Sequence, residues 1–203
     1  MRIEKVLFLL ILSLAISSCR AQNKPQTAED VLKENNVSRI GKYESKEGGF
    51  KVDFPCEPMK SAKPIDSDYG NKTIEFYECG NETARFSVSI QDFTKKIADP
   101  KKVFEDQKQM RIMGMDDSAK IVSETEKSVS GLTAVYFETE LYAGVMIPKS
   151  GLVSELHLLK KQRYYSVTTT VLAKDGQLPK DISKEIRDKT KHFIDSFELV
   201  EDK

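Results

Sequence analysis

The run Leu152-Val153-Ser154-Glu155-Leu156-His157-Leu158-Leu159 is followed by Lys160-Lys161-Gln162-Arg163 and then by Tyr164-Tyr165-Ser166-Val167-Thr168-Thr169-Thr170-Val171-Leu172. Two runs rich in aliphatic, aromatic and β-branched residues read as strands. The short polar link leaves room only for a tight reversal, so the two strands pair antiparallel. Reading outward, the same grammar recurs. Gly131 turns the chain into a strand from Leu132 to Tyr142, and a mostly polar strand from Ile121 to about Val129 precedes it, as suits a sheet edge.

Upstream again, Asp99-Pro100 reads as N-cap and first residue of a helix whose apolar face is Val103, Phe104, Gln107, Met110 and Met113, with Gly114 near its end. Before it, Ala84, Phe86, Val88 and Ile90 alternate with Arg85, Ser87, Ser89 and Gln91, the period of a half-buried strand. Ala62 to Ile65 and Thr73 to Cys79 flank the turn residues Asp68-Tyr69-Gly70-Asn71, which predicts a hairpin with Cys79 roughly opposite Lys60. Phe50, Val52 and Phe54 form one more alternating strand, ended by Pro55 and Pro58. At the other end of the chain, Pro179 opens a helix with Ile182, Ile186, Phe193, Ile194 and Phe197 on one face. Strands, a helix, four strands and a helix make an α+β domain: an antiparallel sheet of about six to seven strands flanked by helices.

The N-terminus belongs to targeting rather than to the fold. Arg2 and Lys5 precede an apolar run from Val6 to Ile16 that only Ser13 interrupts, and Ile16-Ser17-Ser18-Cys19 follows. This is the layout of a secretory signal, too short for the roughly 20 apolar residues that span a bilayer. The last four residues resemble the bacterial lipobox, which implies cleavage before Cys19 and transfer of a diacylglyceryl group to its sulfur. Several acyl chains, at roughly 0.8 kcal/mol per buried CH₂, make a stable anchor. The alternative is a plain secreted protein with Cys19 merely near the cleavage site. Arg20 stands where an Asp retains lipoproteins of the enterobacterial type at the inner membrane, which favours an outer membrane where the cell has one.

The expected organisation is a signal peptide over 1–18, a lipidated cysteine with a polar tether over 19–45, and a single domain over 46–203. Thr27-Ala28-Glu29-Asp30 resembles a capped helix start within the tether. The precursor carries 32 basic and 32 acidic residues, and loss of Arg2, Glu4 and Lys5 leaves the mature chain at about −1. No basic excess points to nucleic acid. Of the three cysteines, lipidation of Cys19 leaves Cys56 and Cys79. A bridge between them would close a loop of about 24 residues, worth about 3 kcal/mol. Two unpaired, partly buried thiols are the alternative.

Catalytic chemistry is sought and not found. His157 sits in the quoted strand, two residues from Glu155, and reads as a satisfied sheet histidine. His192 lies in the last helix with Asp188 four residues before and Asp195 three after, the spacing of a local ion pair. Asp116-Asp117 lacks the calcium-loop pattern, and Glu138 with Glu140 reads as a polar strand face rather than a glycosidase pair. No phosphate loop, dinucleotide fingerprint or nucleophile elbow is present in the sequence. No metal or cofactor is expected. The segment Tyr142-Ala143-Gly144-Val145-Met146-Ile147-Pro148 is apolar where a turn should be, so Tyr142, Val145, Met146 and Ile147 are candidates for a partner-binding tip, with core packing of a long hairpin as the other reading.

Tyr43-x-Ser45-x-Glu47-Gly48-Gly49-Phe50-x-Val52-x-Phe54-Pro55-x-x-Pro58 resembles the opening of PsbP-like envelope lipoproteins. So do Arg85-Phe86-Ser87-Val88, Gly131-Leu132-x-Ala134, Arg163-Tyr164-Tyr165-x-Val167 and Phe193-x-x-Ser196-Phe197-x-Leu199, which extend the resemblance over about residues 43 to 200. The resemblance implies the α/β/α sandwich of PsbP and of a nuclear Ran-binding factor, and it brings no shared catalytic motif. Cys56 departs from the commoner Gly of the Phe-Pro-x-x-Pro segment. Function is therefore expected to be non-enzymatic: a membrane-anchored module that binds or supports an envelope protein. A small-ligand or lipid-binding domain is the alternative, and an unrecognised hydrolase the remote one.

Overall fold

The computed structural model describes residues 41–65, 69–70, 73–115, 118–144, 149–174, 177 and 179–200, with the side chains of residues 110–115 excepted. The signal segment, Cys19 and the tether up to residue 40 lie outside the described residues. Among the described residues, ten strands and two α-helices run in the order β1 (Gly41–Ser45), β2 (Phe50–Phe54), β3 (Met59–Pro64), β4 (Thr73–Gly80), β5 (Ala84–Asp92), α1 (Pro100–Met115), β6 (Ala119–Val129), β7 (Leu132–Leu141), β8 (Gly151–Lys160), β9 (Arg163–Leu172), α2 (Lys184–Asp195) and β10 (Glu198–Leu199).

Seven strands form one antiparallel sheet in the order β3-β4-β5-β9-β8-β7-β6. The α+β class and the strand number read from the sequence are those of the structure. A second, three-stranded sheet, β1-β2-β10, is an addition to that reading. Its first strand comes from Gly41–Ser45, so the packed region begins within the segment assigned to the tether. The reason lies in pairing: Tyr43 stands opposite Val52, and its ring packs edge-on against Phe54.

Alternation along the strands sorts the side chains into two layers. One face carries Phe86, Val88, Ile90, Leu156, Leu158 and Val167, and against it pack β2 through Phe50, Val52 and Phe54 and α2 through Ile186, Phe193 and Ile194. The opposite face is smaller and more polar. There α1 lays Val103 and Phe104 on Phe93 and Tyr164. Two-residue turns join β6 to β7 and β8 to β9. Ser130 (φ 50°) and Gly131 (φ 78°) join β6 to β7 with both residues left-handed, the twist that suits a tight hairpin.

The Gly48-Gly49 turn between β1 and β2 admits no side chains. A Cβ on Gly48 would stand 2.8 Å from the Phe50 ring and 2.9 Å from Ile90 Cδ1, and Gly49 has φ +70°. The turn is held from the large sheet, where the Tyr165 hydroxyl donates to Gly48 O at 3.0 Å.

Cys56 and Cys79 are joined in a disulfide that ties the β2–β3 connection to β4. The hairpin register differs from the sequence reading: Lys60 stands opposite Tyr77, not Cys79. A slip of two residues leaves every side chain on its own face, so the alternation cannot detect it. The last helix also begins later than Pro179. Pro179–Asp181 is a single 3₁₀ turn, and Ser183 caps α2 by accepting from Ile186 N. Arg187 reaches back to donate to Pro179 O at 2.7 Å, which occupies a carbonyl of that turn.

One pH effect follows from the packing of β7. Burial first, together with the neighbouring Glu138 carboxylate to which it donates at 3.1 Å, raises the Tyr136 hydroxyl to about 12. The unfolded chain loses this proton near pH 10 and the folded one two units later. The contribution is therefore fully present below pH 10 and disappears as pH climbs to about 12. Urea titrations across this range should show a steeper loss of stability in the wild type than in Tyr136→Phe. Parallel curves would refute the assignment.

Candidate functional site

The helix-covered polar face of the large sheet gathers the most chemistry. On β8, Val153, Glu155 and His157 point towards α1 while Leu152, Leu156 and Leu158 point into the main core. Glu155 is 1% and His157 5% exposed. His157 Nε2 lies 3.6 Å from Glu155 Oε1, and its Nδ1 shares a short hydrogen bond with the Tyr164 hydroxyl. Tyr164 is in turn stacked on Phe93 with ring centroids 5.9 Å apart, and Phe137 flanks the imidazole at 5.3 Å. The three polar residues thus sit on adjacent strands: His157 pairs with Ser166, and Tyr164 is its diagonal neighbour across the tight turn.

A pocket of about 20 Å³ opens beside them, lined by Gln107 and Lys108 of α1, Ile121, Phe137, Glu155 and His157. That is room for about one water molecule. Lys108 closes its outer side. Its ammonium bridges Glu105 at 2.8 Å and Glu124 at 3.1 Å and lies 5.7 Å from the centre of the Phe137 ring. The hydrogen bond it donates to Glu105 does most to hold this lysine above its ordinary pKa. An imidazole, a carboxylate and a phenol thus lie together beside a space the size of one water molecule. Among the described residues no group of three or more His, Cys, Asp and Glu could hold a metal ion. Tyr164→Phe should cost about 1–3 kcal/mol, the penalty for leaving a buried hydrogen-bonding partner unmatched. Thermal melts of the two proteins would measure it, and an unchanged melting temperature would refute the importance of the Tyr164 hydroxyl.

The other histidine is not part of this cluster. His192 is half exposed, and its Nε2 lies 3.2 Å from Asp53 Oδ2 on β2. The acids at helical spacing from it are engaged elsewhere, Asp188 with Lys184 and Asp195 with Lys127 and Lys191. Ser196, next in the chain, accepts from Asp53 N at 2.9 Å and donates to Phe193 O at 2.8 Å, which is a structural role. Glu138 and Glu140 are likewise taken, the first by Arg187 and Tyr136, the second by Tyr142 at 2.6 Å.

Of the residues singled out in the sequence, the structure brings Cys56 and Cys79 together. Tyr142 is half-buried at the end of β7, with its backbone N–H on Ser118 O at 2.7 Å. Val145, Met146 and Ile147 lie outside the described residues, as does Cys19. Asp116 and Asp117 do too. The sequence reading missed the Tyr164 contact because only strand register brings position 164 to position 157. The Glu155-x-His157 spacing on one face of a strand was the signal available.

No family model matches the sequence, and neither does any curated protein. Among solved structures, the chain is similar to cyanobacterial PsbP (CyanoP) from Synechocystis sp. PCC 6803, with 11% identity, 91% of this chain and 98% of that chain covered, and a TM-score of 0.49. It is also similar to the T6SS immunity protein TplEi from Pseudomonas aeruginosa, with 11% identity, 66% and 48% covered, and a TM-score of 0.43. TplEi complexed with "L" peptide gives 12%, 78%, 64% and 0.42. A PsbP is thus among the similar structures, and the chain spans about half the length of apo TplEi. All these TM-scores lie below 0.5, so the fold rests on its own strand order and layers.

Proposed function

We propose that this chain is a lipoprotein of the cell envelope, attached through lipid on Cys19, whose folded domain is a non-enzymatic module that binds or supports an envelope protein. One observation carries this reading. The Cys56–Cys79 disulfide uses two of the three cysteines and leaves Cys19, which directly follows Ile16-Ser17-Ser18. Disulfides persist outside the reducing cytosol, which agrees with export by the same N-terminal signal. Among the described residues no helix is long and apolar enough to cross a membrane. The non-enzymatic part is supported by the buried His157 cluster, whose pocket has room for water but not for a metabolite. A ligand- or lipid-binding domain would need several hundred Å³.

The anchor is tested by growing cells on an alkyne-tagged fatty acid. The wild-type chain should carry the tag and fractionate with membranes, and Cys19→Ala should lose both properties. An untagged wild type, or a tagged Cys19→Ala, would sink the anchor. The accessory role is tested by in-cell crosslinking, with Cys19→Ala as control. A reproducible envelope partner, lost in Tyr142→Ser with Val145→Ser, is expected. Its absence in repeated trials would reject the role.

A further inference from the structure

The ends of the large sheet differ in charge although the whole chain is neutral. At one end six segments meet among the described residues: the β1–β2 turn, the β3–β4 connection, whose Tyr69 O accepts from Lys95 N at 3.2 Å, the chain from Asp92 into the first turn of α1, the β6–β7 turn, the β8–β9 turn and the end of β10. Hydrogen bonds lace them together. Phe93 N donates to Gln162 O at 2.8 Å, Arg163 to Glu47 O at 3.1 Å, Leu199 N to Ser130 Oγ at 3.0 Å and Val200 N to Gly49 O at 2.9 Å. Their described residues, 46–49, 65, 69–70, 92–102, 130–131, 160–163 and 198–200, contain eight basic and four acidic side chains. Two of the four acids, Glu47 and Glu198, form ion pairs with Lys60 and Lys51 from outside the group. Lys46, Lys95, Lys96, Lys101, Lys102 and Lys161 are exposed across this end. The connections at the opposite end, 55–58, 81–83, 142–144, 149–150, 173–174, 177 and 179–183, hold three acidic and three basic side chains among the described residues.

Lys101 has a local partner, its Nζ standing 3.7 Å from Glu126 Oε1, but helix stability does not explain the pair of lysines. Lys101 and Lys102 fall in the first turn of α1, which contains no acidic residue, where the positive end of the helix dipole disfavours a cation. An anionic surface laid against this end would reverse that disadvantage. Gly41 pairs with Phe54 and so enters the domain at the opposite end. The 22 residues from Cys19 to Gly41 can span up to about 75 Å when extended. The strands of the large sheet, at about 3.3 Å per residue, measure about 30 Å. The tether therefore lets either end of the domain meet the bilayer that holds the anchor.

We infer that the lysine-rich end of the sheet docks on anionic phospholipid headgroups of the membrane to which the chain is anchored, so that the domain lies with the β8–β9 turn against the lipid. This rests on the anchoring proposed above. A tethered domain meets its own bilayer at high effective concentration, and each lysine near an anionic surface strengthens contact about fivefold.

The test uses the full chain purified from cells with a dye on Gln162→Cys, mixed with phosphatidylcholine vesicles with or without phosphatidylglycerol, both containing a headgroup quencher. Flotation reports the anchor and quenching reports docking. The anchored chain should float with both vesicles, and the dye should be quenched on phosphatidylglycerol only. Quenching should vanish near 1 M salt, where the screening length falls to about 3 Å. Lys95→Glu with Lys96→Glu and Lys161→Glu should weaken docking by at least about a hundredfold and leave flotation intact. Equal quenching on both vesicles, or no response to the triple reversal, would overturn docking while the anchor stands. Failure to float on phosphatidylcholine would count against the anchor instead. Docking would then have to appear as salt-sensitive flotation on phosphatidylglycerol alone, and its absence there would overturn it too.

Discussion

Phe193→Ala is expected to lower the unfolding free energy by about 3–5 kcal/mol, a large part of the roughly 5–15 kcal/mol that holds a domain together. Phe193 is 1% exposed and joins three elements at once. From α2 its ring packs on Phe54 of β2 at 5.0 Å and edge-on against Phe86 of β5 at 5.3 Å. Removing it leaves a void between helix, small sheet and large sheet that none of them can close alone. In urea the midpoint should fall and the slope should stay constant, since the surface exposed on unfolding hardly changes. A loss below about 1 kcal/mol would mean that the three layers are joined elsewhere.

The part of this architecture that depends on period was legible in the sequence. Phe50-x-Val52-x-Phe54 and Phe86-x-Val88-x-Ile90 announce their buried faces, and both fall on the main core. Ile186, Phe193 and Ile194 do the same for the last helix. What period cannot show is which strands become neighbours. The pairing of β5 with β9 crosses about eighty residues and places Val88 opposite Val167, yet no local signal distinguishes it from other pairings. The small sheet was missed for a related reason. Gly41–Ser45 is polar outside Tyr43, and Glu198–Leu199 is only two residues long, so neither reads as a strand by itself. Both become strands because β2 offers them an edge.

The candidate site was less legible than the fold. Glu155 and His157 are adjacent on a strand face, but what makes them a cluster is Tyr164, delivered by the turn, and α1, delivered by Val103 and Phe104. Those two apolar residues seat the helix on Phe93 and Tyr164, and Lys108 then closes over Phe137. A buried imidazole in this position looks catalytic by its neighbours and structural by its enclosure. The enclosure is what the sequence could not announce, because it is made by a helix and a turn distant in the chain from the imidazole.

Removing the disulfide, by Cys56→Ala with Cys79→Ala, should cost about 3 kcal/mol. The bridge joins positions 23 residues apart, so in the unfolded chain it closes a loop of moderate length and removes that much conformational freedom. In the folded domain its sulfurs hold the β2–β3 connection against β4, next to β3, the exposed edge strand of the large sheet. The double variant should therefore lose stability everywhere and order first at β3, which hydrogen exchange would register as faster exchange in 59–64 than in β8 or β9. The wild type measured in reductant should match the double variant, because both lack the same constraint. If reductant left the wild type unchanged while the substitutions destabilised it, the loss would come from the missing Cys79 side chain in the core rather than from the bridge. Agreement between the two would tie the fold to an oxidising compartment, as the export proposed above requires.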